Sequence, residues 1–293
     1  MSELPATEER AARSRDLDTR SSVEIVRLIV EDQRRAADAV LAQRAALASA
    51  IESIAQRLRE GGRLHYVGAG TSGRLGVLDA SEMPPTFGCD PSLVCAHIAG
   101  GERALRSAIE GAEDDEDAGE CEMRGHVATG DAVIGLSASG GAPYVIGALR
   151  AARDAGAYTL ALVNSPRAPL GTVAQDAIVV ETGAEVLAGS TRLKAGTAQK
   201  IALNAISTGV MIRLGKVYDN VMVDVVATNA KLRARALRLL CELGEIDAER
   251  ASELLARAGG SVKVAVVMAR RGVAVAEARE LLARTHGALR PLL

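Results

Sequence analysis

Apolar residues recur at helical spacing over residues 22–58, which predicts a long N-terminal helical segment. Ser21 and Ser22 are candidates for the helix N-cap, and Glu24 lies in the predicted first turn. The glycines at 61 and 62 end the helical pattern. The twenty residues before the segment are polar, so we expect them to form an arm that buries little.

Five short apolar runs follow, each ended by small, turn-forming residues. They span residues 64–67, 93–98, 132–137, 158–163 and 177–180. Amphipathic stretches at 103–109 and 143–155 lie between the runs, and another long helix is predicted over 193–214. Runs that are apolar on both faces and alternate with helices indicate a parallel sheet covered by helices on both sides.

Beyond residue 228 the pattern is helical throughout. Glycines separate four short predicted helices at 229–243, 247–258, 261–271 and 275–284. We therefore expect an N-terminal arm and long helix (1–58), a central α/β domain (59–228) and a small all-helical C-terminal domain (229–293). A helical segment of about 60 residues is too small to hold a deep active site alone.

Composition narrows the classes of function. Lys and Arg number 35 against 37 Asp and Glu, and aromatic residues make up 2%, which disfavours nucleic-acid binding through charge or base stacking. No apolar run approaches the roughly 18–20 residues that span a bilayer, and no secretory pattern begins the chain. Four cysteines without metal-ligand spacing disfavour structural zinc and disulfides. We expect a cytoplasmic protein with no membrane or nucleic-acid partner.

A glycine-rich segment, residues 68–73 (GAGTSG), follows the first predicted strand and matches the dinucleotide-binding pattern G-x-G-x-x-G. A nicotinamide site also needs an acidic residue at the end of the second strand, but that strand ends in the small residues 99–101. A P-loop needs Lys and then Ser or Thr after the last glycine, where this chain has Arg74 and Leu75. Neither nucleotide site is predicted.

The loop can still bind an anion, because its backbone N–H groups, its hydroxyls and the N-terminus of the following helix lie together. Similar turns follow the third strand and precede the helix predicted at 193–214. Three such turns at one end of a sheet predict a site for a phosphate monoester of a small polar molecule. The candidate binding residues are Gly70, Thr71, Ser72, Ser137, Ser139, Gly140, Ser190, Thr191 and Lys194.

This order of elements and loops is similar to the sugar isomerase (SIS) fold, which binds phosphosugars. Residues 68–88 (GAGTSGRLGVLDASEMPPTFG), 185–200 (EVLAGSTRLKAGTAQK) and 215–224 (GKVYDNVMVD) closely resemble the N-acetylmuramic acid 6-phosphate etherase family. The resemblance covers nearly the whole chain. It implies a three-layer α/β/α SIS domain with a mostly parallel sheet and a helical C-terminal appendage.

The resemblance also implies an activity. Members of this family are lyases that cleave the D-lactyl ether of the phosphosugar to N-acetylglucosamine 6-phosphate and D-lactate, without metal or organic cofactor. They are homodimers that serve the recycling of bacterial cell-wall sugars. One departure is visible: the family usually has SGRTPY where residues 139–144 are SGGAPY, so Ala142 lacks a hydroxyl that contacts phosphate in related sites. One missing donor costs about 1–3 kcal/mol if nothing replaces it.

Ether cleavage requires two proton-transfer groups. A β-ether beside a carbonyl leaves most readily by elimination, so a base takes the C2 proton, an acid protonates the ether oxygen, and water then adds to the double bond. Glu82 is predicted near the C-terminal end of the helix after the first loop, which Pro84 and Pro85 are expected to stop. The negative helix end disfavours a charged carboxylate and suits a proton donor.

The second carboxylate lies in the acidic run 110–122, where the residues alone do not distinguish Glu113 from Asp114 or Glu116. The resemblance selects Glu113, and it supports Glu82 as the first. Crowded like charges are expected to raise the proton affinity of Glu113. We assign the acid to Glu82 and the base to Glu113.

Two alternatives share the phosphate-binding loops. One is a sugar-phosphate aldose–ketose isomerase. The other is a non-catalytic phosphosugar sensor, because the glucokinase regulatory protein is built from similar domains. The retained glutamates favour the lyase. No serine-hydrolase G-x-S-x-G motif occurs. The histidines show no nucleophile or metal-ligand spacing, and we expect all of them to be structural or on the surface; they are His65, His97, His126 and His286.

Overall fold

The computed structural model describes residues 5–224 and 230–293, which form two compact units. The first unit runs to Ala80 and continues over Ser92–Ser207. The second comprises Ser81–Pro91 and Thr208–Leu293. The predicted boundary at 228/229, and the helix start at residue 229, lie outside the described residues.

The strands of the central sheet and most of the helices lie where the sequence pattern predicts them. The strands are β1 (Leu64–Gly68), β2 (Val94–Ile98), β3 (Ala132–Ser137), β4 (Tyr158–Val163), β5 (Asp176–Val179), β6 (Val217–Tyr218) and β7 (Val221–Met222). The helices are α1 (Ser22–Ala42), α2 (Arg44–Arg59), α3 (Gly70–Phe87), α4 (Glu116–His126), α5 (Pro143–Asp154), α6 (Leu170–Val173), α7 (Lys194–Arg213), α8 (Ala230–Gly244), α9 (Ala248–Arg257), α10 (Val262–Arg271) and α11 (Val275–Arg284).

The central sheet is fully parallel, with strand order β2-β1-β3-β4-β5. Its two faces carry different helices. A Cβ placed on Gly76 of α3 would lie 3.0 Å from Tyr66, whereas one on Gly135 of β3 would lie 2.8 Å from Leu149 of α5. Since Tyr66 pairs with Ile134, next to Gly135, α3 and α5 cover opposite faces. The predicted three-layer α/β/α fold is confirmed.

The N-terminal part of the chain, which comprises the arm and the helical segment, differs from its prediction in two respects. Ser21 and Glu24 form the expected capping box, but Gln43 has non-helical backbone angles and divides the segment into α1 and α2. The preceding arm is not loose, because Thr7 and Ala11 are buried. The other described residues of the arm are mostly exposed, so the expectation that the arm buries little holds except at these two positions.

Two further predictions were wrong, and helix α4 was not predicted. Residues 103–109 do not form an α-helix, since only a short 3-10 helix at Gly101–Leu105 is present there. Helix α4 begins within the acidic run. At its N-terminus Asp115 Oδ1 accepts a hydrogen bond from Ala118 N–H, and Gly119 packs against α5. Pro84 and Pro85 do not stop α3, which continues to Phe87. Proline φ is compatible with helix, and Pro84 still accepts a hydrogen bond from Gly88 N–H.

The second unit is built around α8–α11, and its apolar core includes Leu240, Leu254, Val266 and Leu282. This confirms the predicted helical character of the C-terminal segment. Within this unit the buried Lys263 ammonium donates to Asp224 at 2.7 Å and to the Gly215 carbonyl at 2.9 Å. Among the described residues, every helix is too short or too polar to cross a membrane.

Candidate active site

A small cavity lies in the first unit at the carboxyl ends of β1 and β3. Its volume is about 230 Å³, less than the roughly 300–1,000 Å³ of sites that enclose drug-sized ligands. It suits a small polar group held at the mouth of the sheet. The lining residues are Glu8, Ala69, Gly70, Thr71, Ser72, Glu113, Leu136, Ser137, Ala138, Ser139, Ala142 and Thr191.

The glycines of the first loop allow β1 and α3 to approach closely. A Cβ on Gly68 would lie 2.7 Å from the Gly73 nitrogen, and a Cβ on Gly73 would lie 2.7 Å from the Gly68 carbonyl oxygen. Gly70 has φ +52°, which a side chain rarely adopts. The loop therefore brings Thr71, Ser72 and the N-terminus of α3 to the cavity wall, where N–H donors favour an anion.

The second loop presents two serine hydroxyls. Ser137 Oγ accepts a hydrogen bond from Gly140 N–H at 3.0 Å, and Ser139 Oγ accepts one from Gly141 N–H at 3.3 Å. Each hydroxyl therefore keeps its own hydrogen to donate. Gly140 does not line the cavity: its φ is +74°, and a Cβ there would lie 2.2 Å from Ala168, so it shapes the turn.

A buried glutamine controls the hydroxyl of Ser72. Ser72 Oγ donates to Gln199 Oε1 at 2.8 Å, while Gln199 Nε2 is buried without a hydrogen-bond partner. Turning over the Gln199 amide lets Nε2 donate to Ser72 Oγ, which releases the Ser72 hydrogen toward the cavity. Sequence reasoning missed Gln199, which lies in the second long motif but has no charge or hydroxyl to mark it.

The third turn contributes fewer residues to the cavity wall than predicted. Thr191 lines the cavity, but Ser190 does not. The first N–H groups of α7 are occupied, because the buried Glu185 carboxylate accepts from Lys194 N at 3.1 Å and from Ala195 N at 2.8 Å. This helix N-terminus is therefore already neutralised by a carboxylate.

Lys194 has a structural position instead of a place on the cavity wall. Its side chain is fully buried, and Nζ donates to both carboxylate oxygens of Asp32 at 3.1 Å and to the Ala184 carbonyl at 2.8 Å. All three ammonium hydrogens have protein acceptors. Ser190, Gly140 and Lys194 therefore do not line the cavity.

Two carboxylates reach the cavity. Glu113 was expected, and partial burial of its carboxyl raises its pKa, with the charge of Asp114 adding to the effect. The sequence suggested like charge as the cause of a raised pKa, and in the structure it is the second cause, after burial. Glu8 was not expected, and it approaches Gly189, where a Cβ would meet Glu8 Oε2 at 2.8 Å. Thr7, beside Glu8, accepts a hydrogen bond from Gly189 N–H, which holds the arm in place.

Full-length relatives share about half of the residues of this chain. An N-acetylmuramic acid 6-phosphate etherase of Deinococcus radiodurans is 50% identical over 95% of this chain and 92% of its own length. One of Geobacillus thermodenitrificans is 48% identical over the full length of both chains. This chain belongs to the N-acetylmuramic acid 6-phosphate etherase family. The resemblance that the sequence motifs carry is thereby confirmed.

The fold of this etherase-family chain is found more widely. Residues 46–153 match the N-terminal SIS domain of glucokinase regulatory protein. A solved phosphoheptose isomerase from Francisella tularensis superposes with a TM-score of 0.52 at 16% identity, over 65% of this chain and 98% of that one. At this level of identity the likeness concerns the fold alone, and it agrees with the parallel sheet described above.

The other expected glutamate of the family, Glu82, belongs to the second unit and is exposed. The helix that carries it is anchored in the first unit by Asp79. This buried carboxylate accepts from Tyr66 Oη at 2.9 Å, Asn204 Nδ2 at 2.9 Å and Ser207 Oγ at 3.2 Å. Burial raises the pKa of Asp79, and the three hydrogen bonds offset part of that effect. Asp79 thus fixes α3 against β1 and α7.

Proposed function

We propose that this protein is a lyase that cleaves the D-lactyl ether of N-acetylmuramic acid 6-phosphate to N-acetylglucosamine 6-phosphate and D-lactate, with water as the co-reactant. The observation that carries the proposal is identity near 50% with etherases over nearly the whole chain. A cavity that combines two hydroxyl-bearing loops with a carboxyl of raised pKa supports it.

The phosphate is bound between the first two loops. Thr71, Ser72, Ser137 and Ser139 offer hydroxyls there, and the N-terminus of α3 adds N–H groups. Thr191, which belongs to the third turn, completes the lining of the cavity. Ala142 lines the cavity at the position where the family usually has threonine, and its methyl group donates no hydrogen bond. The backbone and the serines therefore carry more of the recognition here.

The ether is broken by elimination. In the ring-opened sugar the aldehyde acidifies the C2 proton, and Glu113 removes it, since a carboxylate of raised pKa is the stronger base. The electron pair left on C2 forms the C2–C3 double bond as the C3–O bond breaks. The family resemblance assigns the protonation of the leaving lactate oxygen to Glu82. Water then adds to C3, and a proton returns to C2.

A homodimer is the proposed working form. Val23, Val26, Val30 and Leu41 are 79%, 60%, 56% and 64% exposed, and their spacing places them on one side of α1. Water-exposed apolar stripes of this kind mark interaction surfaces, and a second copy of α1 would present the same apolar stripe. We place the protein in the cytoplasm, because a charged phosphosugar does not cross a membrane unaided.

The test is an assay for D-lactate after incubation with N-acetylmuramic acid 6-phosphate in oxygen-18 water. The expected result is release of D-lactate, with the label on C3 of N-acetylglucosamine 6-phosphate and none in lactate. The Glu113→Gln variant is the matched control. Absence of lactate, together with conversion of an aldose phosphate that has a free C2 hydroxyl to its ketose, would establish the isomerase instead. Thermal stabilisation by the phosphosugar without turnover of either substrate would establish a sensor. Label in lactate would overturn the elimination mechanism.

A further inference from the structure

Three of the four histidines, from distant parts of the sequence, form a row in the first unit. His65 lies on β1, His97 on β2, and His126 is the last residue of α4. The rings of His65 and His97 stack with centroids 5.3 Å apart, and those of His97 and His126 are 5.0 Å apart. The fold creates this row, since two of its members are on neighbouring strands and the third is on a helix.

Hydrogen bonding fixes where the protons of this row lie. The Asp131 carboxylate accepts from Arg63 N and Ala128 N, so it is an acceptor for His65 Nε2–H at 3.3 Å. His65 Nδ1 then carries a lone pair and accepts from His97 Nε2–H at 3.1 Å. As a result, His97 Nδ1 carries a lone pair as well.

That lone pair faces another acceptor. His97 Nδ1 lies 2.7 Å from Glu122 Oε1, and an ionised carboxylate has no hydrogen to donate. The contact is therefore incomplete without a cation, either a proton or a metal ion. Two groups are enough to hold a proton between them, whereas here a third potential metal ligand lies beside the two.

His126 is the third group. It lies four residues after Glu122 on α4, so both side chains project from one side of the helix. His126 Nδ1 is 2.8 Å from the Glu122 carbonyl oxygen and 3.6 Å from Glu122 Oε1. Ligand atoms of His97, Glu122 and His126 all lie within 4.8 Å of one another. Two imidazoles and one carboxylate form a donor set typical of zinc.

We propose that His97, Glu122 and His126 bind a divalent transition-metal ion, with zinc as the best match, and that the ion fastens α4 to β2. His65 and Asp131 form the outer shell, in which a hydrogen bond to the second ring nitrogen orients a ligating histidine. A cavity of about 480 Å³, which His97, Glu122 and Tyr144 help to line, leaves room for a water ligand. This site shares no residue with the lining of the proposed phosphate site.

The test uses tag-free full-length protein that has been stripped with a chelator and exchanged into metal-free buffer. Zinc is titrated in competition with a chromophoric chelator, and cobalt is used as a spectroscopic probe. We expect one zinc per chain and a cobalt spectrum without a thiolate charge-transfer band. Substoichiometric binding, or a thiolate band from a cysteine such as the exposed Cys121, would overturn the proposal.

Variants separate this site from adventitious binding. His126→Gln is the first choice because the ring is 54% exposed, so its replacement should disturb the packing little. We expect its zinc dissociation constant to rise by at least about ten-fold, since even an outer-shell partner is worth 10–100-fold. The matched control is His286→Gln, an exposed histidine of the second unit, which should bind zinc as the wild type does. Equal affinity of the His126→Gln variant and the wild type would overturn the proposal.

A second variant distinguishes a metal ion from a proton. In Glu122→Gln the amide can donate to His97 Nδ1, which completes the contact without a cation. We expect the wild-type Tm to rise on zinc addition and the Tm of Glu122→Gln to stay constant. A wild-type Tm that does not respond to zinc, with the variant more stable than the metal-free wild type, would show that a proton fills the contact and would overturn the metal site.

Discussion

Lys194 Nζ lies 3.1 Å from both carboxylate oxygens of Asp32, and neither side chain is reached by solvent. The pair connects α1 to the first turn of α7. Arg13 from the N-terminal arm also pairs with Asp32 and is partly exposed. A lysine that the sequence suggested as a ligand for phosphate is thus the centre of an internal ion pair.

Lys194→Met is therefore expected to destabilise the protein without weakening substrate binding. Removing one partner of a buried ion pair costs about 3–5 kcal/mol when the other charge is left uncompensated. Arg13 still pairs with Asp32 in this variant, so we expect a loss at the lower end of that range. The free energy of unfolding from urea titration should fall by this amount, while KM for the phosphosugar stays unchanged. The double variant with Asp32→Asn should recover part of the stability. An unchanged stability with a raised KM would place Lys194 in the substrate site after all.

Ser139→Ala and Ser72→Ala should each raise KM for the phosphosugar and change kcat little. A phosphate remote from the reacting bonds contributes mainly uniform binding, and a hydrogen bond to a charged group contributes about 1.5–3 kcal/mol. We expect KM to rise about ten-fold or more in steady-state D-lactate assays. Ser190→Ala is the matched control, since Ser190 does not line the cavity. If both serine variants kept the wild-type KM, the phosphate would lie elsewhere.

The two glutamates should be distinguishable by isotope exchange. Glu82→Gln and Glu113→Gln should each lower kcat by about 10²–10⁴-fold, the size of a lost general acid–base contribution. In heavy water, Glu82→Gln should still exchange the C2 proton of unreacted substrate, because the base remains. Glu113→Gln should lose exchange and lactate release together. The opposite pattern, measured by mass spectrometry, would interchange the two roles.

Asp114→Asn should move the acidic limb of the pH–activity profile to lower pH. The Asp114 charge helps to raise the pKa of Glu113, so its removal lowers that pKa. Glu113 then becomes ionised, and active as a base, at a lower pH. The displacement should be modest because burial is the larger cause. Asp117→Asn, which removes a nearby charge not involved in this shift, should leave the limb of kcat/KM unmoved. A displacement toward higher pH would contradict Glu113 as the base.

Val26→Glu should weaken the proposed dimer. A charge in the middle of the exposed stripe on α1 would be buried unpaired in the interface, at a cost of several kcal/mol. Sedimentation velocity should show monomer at concentrations where the wild type is dimeric. Val26→Ala, which keeps the surface apolar, should remain dimeric. Identical sedimentation of Val26→Glu and wild type would exclude this stripe as the interface.

Much of the fold follows from local patterns. All five strands of the central sheet lie within two residues of their predicted bounds, since a doubly covered parallel sheet requires uninterrupted apolar runs. Helix α4 was not predicted, because the acidic run was considered only as the source of the second carboxylate. The capping Asp115, the acidic first turn and the basic last turn are nevertheless helix features that the sequence does carry.

The candidate site could be predicted where a motif supplies the chemistry, and not where side chains distant in sequence meet only through folding. The loops that bear Ser72 and Ser139 were identified by their hydroxyls and glycines. The occupation of the α7 N-terminus by Glu185, and the use of Lys194 by Asp32, depend on side chains distant in sequence. Glu8 was missed for the same reason, since nothing local marks a residue of the arm as part of a cavity.

The strand order places β1 and β3 side by side, while the helices that follow them, α3 and α5, leave toward opposite faces of the sheet. The crevice between the two departing chains therefore exists whatever side chains line it. The buried strands provide the stability, and the loops beyond them provide the selectivity. Mutations in these two parts can thus accumulate independently, and a descendant chain can acquire a different phosphorylated substrate by exchanging loop residues while its sheet stays intact.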